Sequence, residues 1–168
     1  MTIQHDAYSL YYMSYRCVAR SFMVTKINRI LFACTWNAVR SPIAQGIMNL
    51  VAGNSFFIDS VGVRLGVTDS FAITVMEEIG VDISNHQPKT FEQLIDRNFD
   101  IIISLSPEAQ HKAVEMTRDS ACKVEFWHTM DPSIIDGNRD VQLSAFRQIR
   151  DELSHKLNKR FGCPAPII

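Results

Sequence analysis

From Ile27 onward the chain alternates short apolar runs with stretches of helical period, and that alternation restricts the architectures open to it. Ile30-Leu31-Phe32-Ala33 reads as a buried strand, after which the segment from Ser41 to Val51 sets Ile43, Ile47, Leu50 and Val51 on one helical face. Phe56-Phe57-Ile58 reads as a second strand, and Phe71, Val75 and Ile79 recur at i, i+4 and i+8 of a second helix that Gly80 would cap. A short helix is expected from Phe91 to Asp96, a third strand at Ile101-Ile102-Ile103, and then a helix opened by Pro107 and running to about Arg118. Val124-Glu125-Phe126-Trp127 makes a fourth strand. A last helix carries Val141, Phe146, Ile149, Leu153 and Leu157 and ends near Gly162. Strands alternating with helices through short loops imply βαβ units. The expected fold is therefore α/β, a single-domain three-layer α/β/α arrangement with a four-stranded parallel sheet.

Composition limits what such a domain does. Its 168 residues suffice for a self-supporting core without disulfides, and 17 Lys and Arg against 18 Asp and Glu leave a net charge of −1. That balance argues against a nucleic-acid partner bound by neutralising many phosphates. No run approaches the ~20 apolar residues of a membrane-spanning helix, so no membrane partner is expected. The four cysteines, Cys17, Cys34, Cys122 and Cys163, are widely spread and show no metal-ligand spacing. Neither a metal nor a disulfide scaffold is expected, and a reducing, cytoplasmic setting follows. His86, His111, His128 and His155 are equally scattered; His86 reads as part of a structural turn and His128 as a residue near a strand end. Residues 1–25, with Tyr8, Tyr11, Tyr12 and Tyr15, read as an N-terminal extension without an assigned role, ahead of a domain at 26–168.

In open parallel sheets, ligands bind where strand C-termini meet helix N-termini. The first such junction reads Cys34-Thr35-Trp36-Asn37-Ala38-Val39-Arg40-Ser41-Pro42, and its ingredients suit attack on a phosphate. Backbone N–H groups of a loop that closes onto a helix N-terminus form an oxyanion cradle, so Thr35, Trp36, Asn37, Ala38, Val39, Arg40 and Ser41 are candidate phosphate-binding residues. A thiol in that positive potential is favoured as the reactive thiolate. Arg40 can fold back and hold two phosphoryl oxygens in a bidentate fork, which Lys could not reproduce. The Ser41 hydroxyl can stabilise the thiolate by hydrogen bonding.

The Cys-x5-Arg-Ser-Pro run after a first strand resembles the low-molecular-weight protein tyrosine phosphatases, whose fold also hosts thioredoxin-coupled arsenate reductases. The resemblance extends from about Arg29 to Phe161. It includes Asp59-Ser60-Val61-Gly62, whose serine by this likeness supports the loop through Asn37; Gly80-Val81-Asp82-Ile83-Ser84-Asn85-His86; Phe99-Asp100-Ile101-Ile102; and Asp131-Pro132 near the end. The resemblance implies a cofactor-free phosphomonoester hydrolase. Cys34 is its nucleophile, Arg40 holds the phosphoryl group, Asp131 is general acid and then base, and Ser60, Asn37 and Ser41 support the loop. The implied substrate is a phosphorylated protein or small phosphomonoester, and the implied assembly a monomer or weak homo-oligomer.

Four features bear on the substrate, the redox behaviour of Cys34 and the choice between phosphatase and reductase. Trp36 stands where the family usually has glycine, and if that position needs φ > 0 the indole-bearing residue costs about 1–2 kcal/mol. Ser133-Ile134 and Val63-Arg64-Leu65-Gly66 replace the aromatic walls usual in the family's phosphotyrosine enzymes. Val39 occupies the place of the second loop cysteine common there. The segment from Ser104 to Ala113 contains no cysteine, which removes the internal disulfide relay of thioredoxin-coupled reduction. Two alternatives stay open: an arsenate reductase using an external thiol, and a non-catalytic oxyanion or phosphoprotein binder. Cys122 is expected in the core.

Overall fold

The computed structural model describes residues 27–162, so the expected extension at 1–25, Cys17 and Cys163 lie outside the described residues. Four strands, β1 (Arg29–Cys34), β2 (Phe57–Gly62), β3 (Ile101–Ser104) and β4 (Lys123–Phe126), form one sheet in the order β2-β1-β3-β4. All three pairings are parallel. Helices α1 (Arg40–Ala52), α2 (Ser70–Glu77), α3 (Pro107–Met116) and α4 (Arg139–Phe161) make the crossovers and the outer layers.

The period of two along the strands divides the interior into two halves. Ile30, Phe32, Ile101 and Ile103 face α1 and α4, packing with Ile43, Ile47, Phe146 and Leu153; Leu31, Ala33 and Ile102 face Phe91, Leu94, Ala109 and Ala113 on the other side. Cys34 shares the first face with Phe32, so the strand's own periodicity aims its side chain towards α1. Caps fix the helix starts: Asp69 accepts from the Phe71 N–H at 2.7 Å, Ser106 from Ala109 at 3.3 Å ahead of Pro107, and Asn138 from Val141 at 3.0 Å. Gly162 ends α4 at φ 66°, donating to the Asn158 carbonyl.

Several boundaries differ from expectation, each for a local reason. β2 continues through polar Asp59 and Ser60 to Gly62 because six residues pair with β1, where the apolar run marked only its start. Helix α2 stops at Glu77, three residues before Gly80; its last turn tightens, with Ile79 donating to Met76 and Gly80 to Glu77, and Gly80 takes φ 75° at the end of that turn. The helix expected from Phe91 to Asp96 is a single 3-10 turn, Phe91–Gln93, closed by a Thr90–Gln93 capping box, after which Leu94 extends into the core. Helix α3 ends at Met116, where the Thr117 hydroxyl donates to the Ala113 carbonyl. Strand β4 is displaced one residue, to Lys123–Phe126.

Candidate active site

The loop between β1 and α1 wraps around the Cys34 sulfur. The turn is made at Asn37, whose φ of 52° is the only positive value on a non-glycine residue among those described. Asparagine tolerates this left-handed conformation better than most side chains. The conditional strain at Trp36 therefore does not arise, because the tight position is one residue later. Its reward is a hydrogen bond from the Asn37 N–H to Cys34 Sγ at 3.2 Å.

The connection after β2 secures the loop from outside. Val63, Arg64 and Asp69 donate their N–H groups to the carbonyls of Cys34, Thr35 and Ala38 at 2.8–3.0 Å, which ties the loop to the segment after β2. Close approach requires glycine at two positions. A Cβ on Gly62 would lie 2.8 Å from the Asn37 nitrogen, and one on Gly66 2.6 Å from the Trp36 carbonyl oxygen. The Trp36 ring, 43% exposed, lies under the Arg64 guanidinium, 5.2 Å from its centroid.

Behind the loop is a buried polar cluster. Asn37 Nδ2 donates to Ser41 Oγ and to Ser60 Oγ, both at 2.9 Å, and Ser41 Oγ lies 3.0 Å from Cys34 Sγ. Asn37 Oδ1 accepts from the Lys89 N–H at 2.9 Å, and His86 Nε2 is 3.2 Å away. Because that oxygen is already identified as an acceptor, His86 is a donor through Nε2. Burial holds the His86 imidazole below its ordinary range, with the nearby Lys89 charge acting in the same sense against the Asn37 hydrogen bond. Gln45 extends the cluster, accepting from Ser60 Oγ at 2.6 Å.

In front of the loop, Arg40 is buried at the start of α1. Its guanidinium donates to the Thr129 carbonyl at 3.1 Å, to Thr35 Oγ1 at 3.3 Å and to Asp131 Oδ2 at 2.8 Å. The other Asp131 oxygen accepts from the N–H and hydroxyl of Ser133. Cys34, Trp36, Ala38, Val39, Arg40 and Asp131 share one cleft of about 210 Å³, bounded also by Gly66, Val67, Asp69 and Ser133. Thus the expected residues sort into two shells: these six line the cleft, Thr35 reaches Arg40, and Asn37, Ser41 and Ser60 are fully buried behind.

Sequence reasoning missed the parts played by Gln45, Lys89, Thr129 and Ser133, and gave His86 a turn without its bond to Asn37. Gln45 follows Ser41 by four residues on a helix, a spacing that places both on one side. Ser133, two after Asp131, carries the Asx-turn signal. Lys89 and Thr129 act through backbone groups, which leave no side-chain signature. His128 is exposed, its ring against Phe126. Cys122 is half-buried and packs against the core on the Leu31 and Ile102 side of the sheet; burial and then the Asp100 carboxylate push its thiol up to about 11. Among the described residues no group of three or more His, Cys, Asp or Glu side chains is placed to hold a metal ion. No helix among them is long and apolar enough to cross a membrane.

A family model described as low molecular weight phosphotyrosine protein phosphatase matches residues 29–161. The arsenate reductase of Bacillus subtilis (strain 168) is 30% identical over 133 residues, covering 79% of this chain and 94% of that protein. That of Bacillus licheniformis is 31% identical over the same shares of the two chains. Among solved structures, the low-molecular-weight protein tyrosine phosphatase from T. tengcongensis superposes with a TM-score of 0.66 at 25% identity, over 79% of this chain and 96% of its own. An arsenate reductase in its phosphate-binding state gives 0.63 at 23% identity, over 81% and 98%.

Proposed function

The chain belongs to the low-molecular-weight phosphotyrosine protein phosphatase family, and from that premise we propose that Cys34, Arg40 and Asp131 carry its phosphomonoester hydrolysis. The observation that supports this most is that residues from opposite ends of the domain meet at one small cleft, with Arg40 bridging the loop and Asp131.

The Cys34 thiolate attacks phosphorus; an S–P bond forms as the ester P–O bond breaks. Arg40 exchanges Asp131 for two phosphoryl oxygens; the freed Asp131 carboxylate takes up a proton from solvent and, as the carboxylic acid, passes it to the leaving alkoxide or phenolate. Water then gives a proton to the Asp131 carboxylate and attacks phosphorus, the S–P bond breaks, and thiolate and phosphate are released. Loop amides and Arg40 stabilise the charge on the transferring group. Thr35, Trp36, Asn37, Ala38, Val39 and Ser41 complete the cradle, with Ser60 supporting Asn37.

The substrate is a phosphorylated protein or a small phosphomonoester, met in the cytoplasm by a monomer or weak homo-oligomer whose domain spans 26–168, without nucleic-acid or membrane partners. Hydrolysis of p-nitrophenyl phosphate, lost in Cys34→Ser, supports this reading; phosphate binding without turnover by wild type overturns it in favour of a binder.

The arsenate reductase relatives support a second reading, reduction with an external thiol. Among the described residues, strand register keeps Cys122 from acting as an internal relay thiol: Ile30, Ile101 and Lys123 are level, so Cys122 is level with Arg29 and five residues before Cys34 along the strand direction. At ~3.3 Å per residue that is about 16 Å, against the ~7 Å limit for bridging two cysteine Cα atoms. Thiol-dependent consumption of arsenate, with no phosphatase turnover, would select this reading.

A further inference from the structure

Resting on the assignment of Cys34 as nucleophile, we propose that Gln45 is a positioning residue, which sets the direction of a hydrogen-bond relay through Ser60, Asn37 and Ser41 that aims a hydroxyl proton at the Cys34 sulfur.

Two backbone groups determine the sense of every bond in the relay. At one end the Ile58 carbonyl only accepts, so the Gln45 group facing it at 3.3 Å is the amide nitrogen, and Oε1 is the group that faces Ser60. The Ser60 hydroxyl spends its single proton on Gln45 Oε1 and offers a lone pair to Asn37. At the other end the Lys89 N–H only donates, which identifies Asn37 Oδ1 and leaves both protons of Nδ2 for Ser60 and Ser41. Ser41 Oγ therefore accepts from Asn37, and its own proton has two targets: Cys34 Sγ at 3.0 Å and the Val61 carbonyl at 3.3 Å. A thiol can donate to Ser41 while Ser41 donates to Val61. A thiolate only accepts, so the hydroxyl turns to it. Successive donors in a chain polarise one another, and Ser60, Asn37 and Ser41 are fully buried where that polarisation is least screened.

An apolar residue at 45 leaves Ser60 without the acceptor that orients it, while the cleft itself is untouched, since Gln45 is not among its walls. The test reads the sulfur directly, by iodoacetamide alkylation of Cys34 against pH with peptide mapping, in parallel with p-nitrophenyl phosphate hydrolysis. Gln45→Met lowers the alkylation rate at mildly acidic pH about threefold to tenfold, the effect of one hydrogen bond, and moves the acidic limb of the profile to higher pH. Ser60→Ala reproduces the Met profile, and adding Gln45→Met to it brings no further change, because both act through one hydroxyl. Superimposable profiles for wild type and Gln45→Met, or full additivity with Ser60→Ala, would overturn the proposal. Alkylation that behaves as expected in a protein with no phosphatase turnover would uphold the relay and overturn the hydrolase assignment instead.

Discussion

Arg40 and Asp131, 91 residues apart in sequence, form an ion pair at 2.8 Å that ties the helix after β1 to the loop before α4. Arg40 is buried, and its partner carboxylate is also held by Ser133. The pair keeps both side chains at the cleft, and in the proposed mechanism they exchange partners when a phosphoryl group arrives. Asp131→Asn removes the proton source while keeping the volume. Turnover should fall about 100-fold or more, and further for an alkyl phosphate than for p-nitrophenyl phosphate, whose leaving group needs less protonation. Equal losses on the two substrates would deny Asp131 the acid role.

Trp36 forms a wall of the cleft from within the loop itself, held under Arg64, whose guanidinium also meets Glu108 at 3.4 Å. It supplies apolar surface on a site whose Asp131 side presents Ser133. Trp36→Ala should raise KM for aryl phosphates about tenfold, the effect of losing a partly exposed aromatic contact, while kcat and the alkyl phosphate KM change little. A parallel fall in kcat on both substrates would mean that Trp36 shapes the loop and does not contact the leaving group.

Cys34 and Arg40 were legible in the sequence because they stand together between the end of an apolar strand and the Pro42 that opens a helix, whereas Asp131, which alone reads as a turn residue before a proline, was legible only through the family resemblance. The sheet was legible as well, since β1 and β3 are uninterrupted apolar runs. What escaped is what depends on tertiary contact. The resemblance alone places Asp59 and Ser60 in the second strand, since nothing local marks them as strand residues and their pairing with Leu31 and Phe32 determines it. Gln45 is an ordinary helix residue until β2 brings Ser60 beside it, and Thr129 contributes a carbonyl that any residue carries. Strain at Trp36 is conditional on a positive φ there; the left-handed residue is Asn37, the chemically apt one for it.

His86 makes the loop's stability depend on pH. Its protonation is disfavoured in the folded state, so the unfolded chain binds the proton more readily. The contribution is complete above the unfolded value of about 6.5 and declines as pH falls below it towards the lower folded value. His86→Gln keeps a donor for Asn37 and removes the titration. In urea unfolding at pH 7 and pH 5, wild type should lose more stability between the two than the variant; equal losses would exclude His86 as a source of the difference.

Val39 leaves Cys34 without a neighbouring thiol in the loop, and Cys122 lies near the other end of the sheet. A sulfenic acid on Cys34 has no described thiol in reach to trap it, so continued peroxide carries it to the irreversible sulfinic acid. Val39→Cys should increase the activity recovered by dithiothreitol after peroxide. Full recovery in wild type would contradict this account.

The central claim is that phosphoryl transfer passes through sulfur at Cys34. Rapid quenching of Asp131→Asn during turnover of an aryl phosphate, followed by intact mass and peptide mapping under conditions that preserve thiophosphates, tests it most directly. The account predicts one phosphoryl group on the peptide containing Cys34, formed at the rate of the first product burst. Product release with no phosphoryl enzyme, or a phosphoryl group on any other residue, would contradict it.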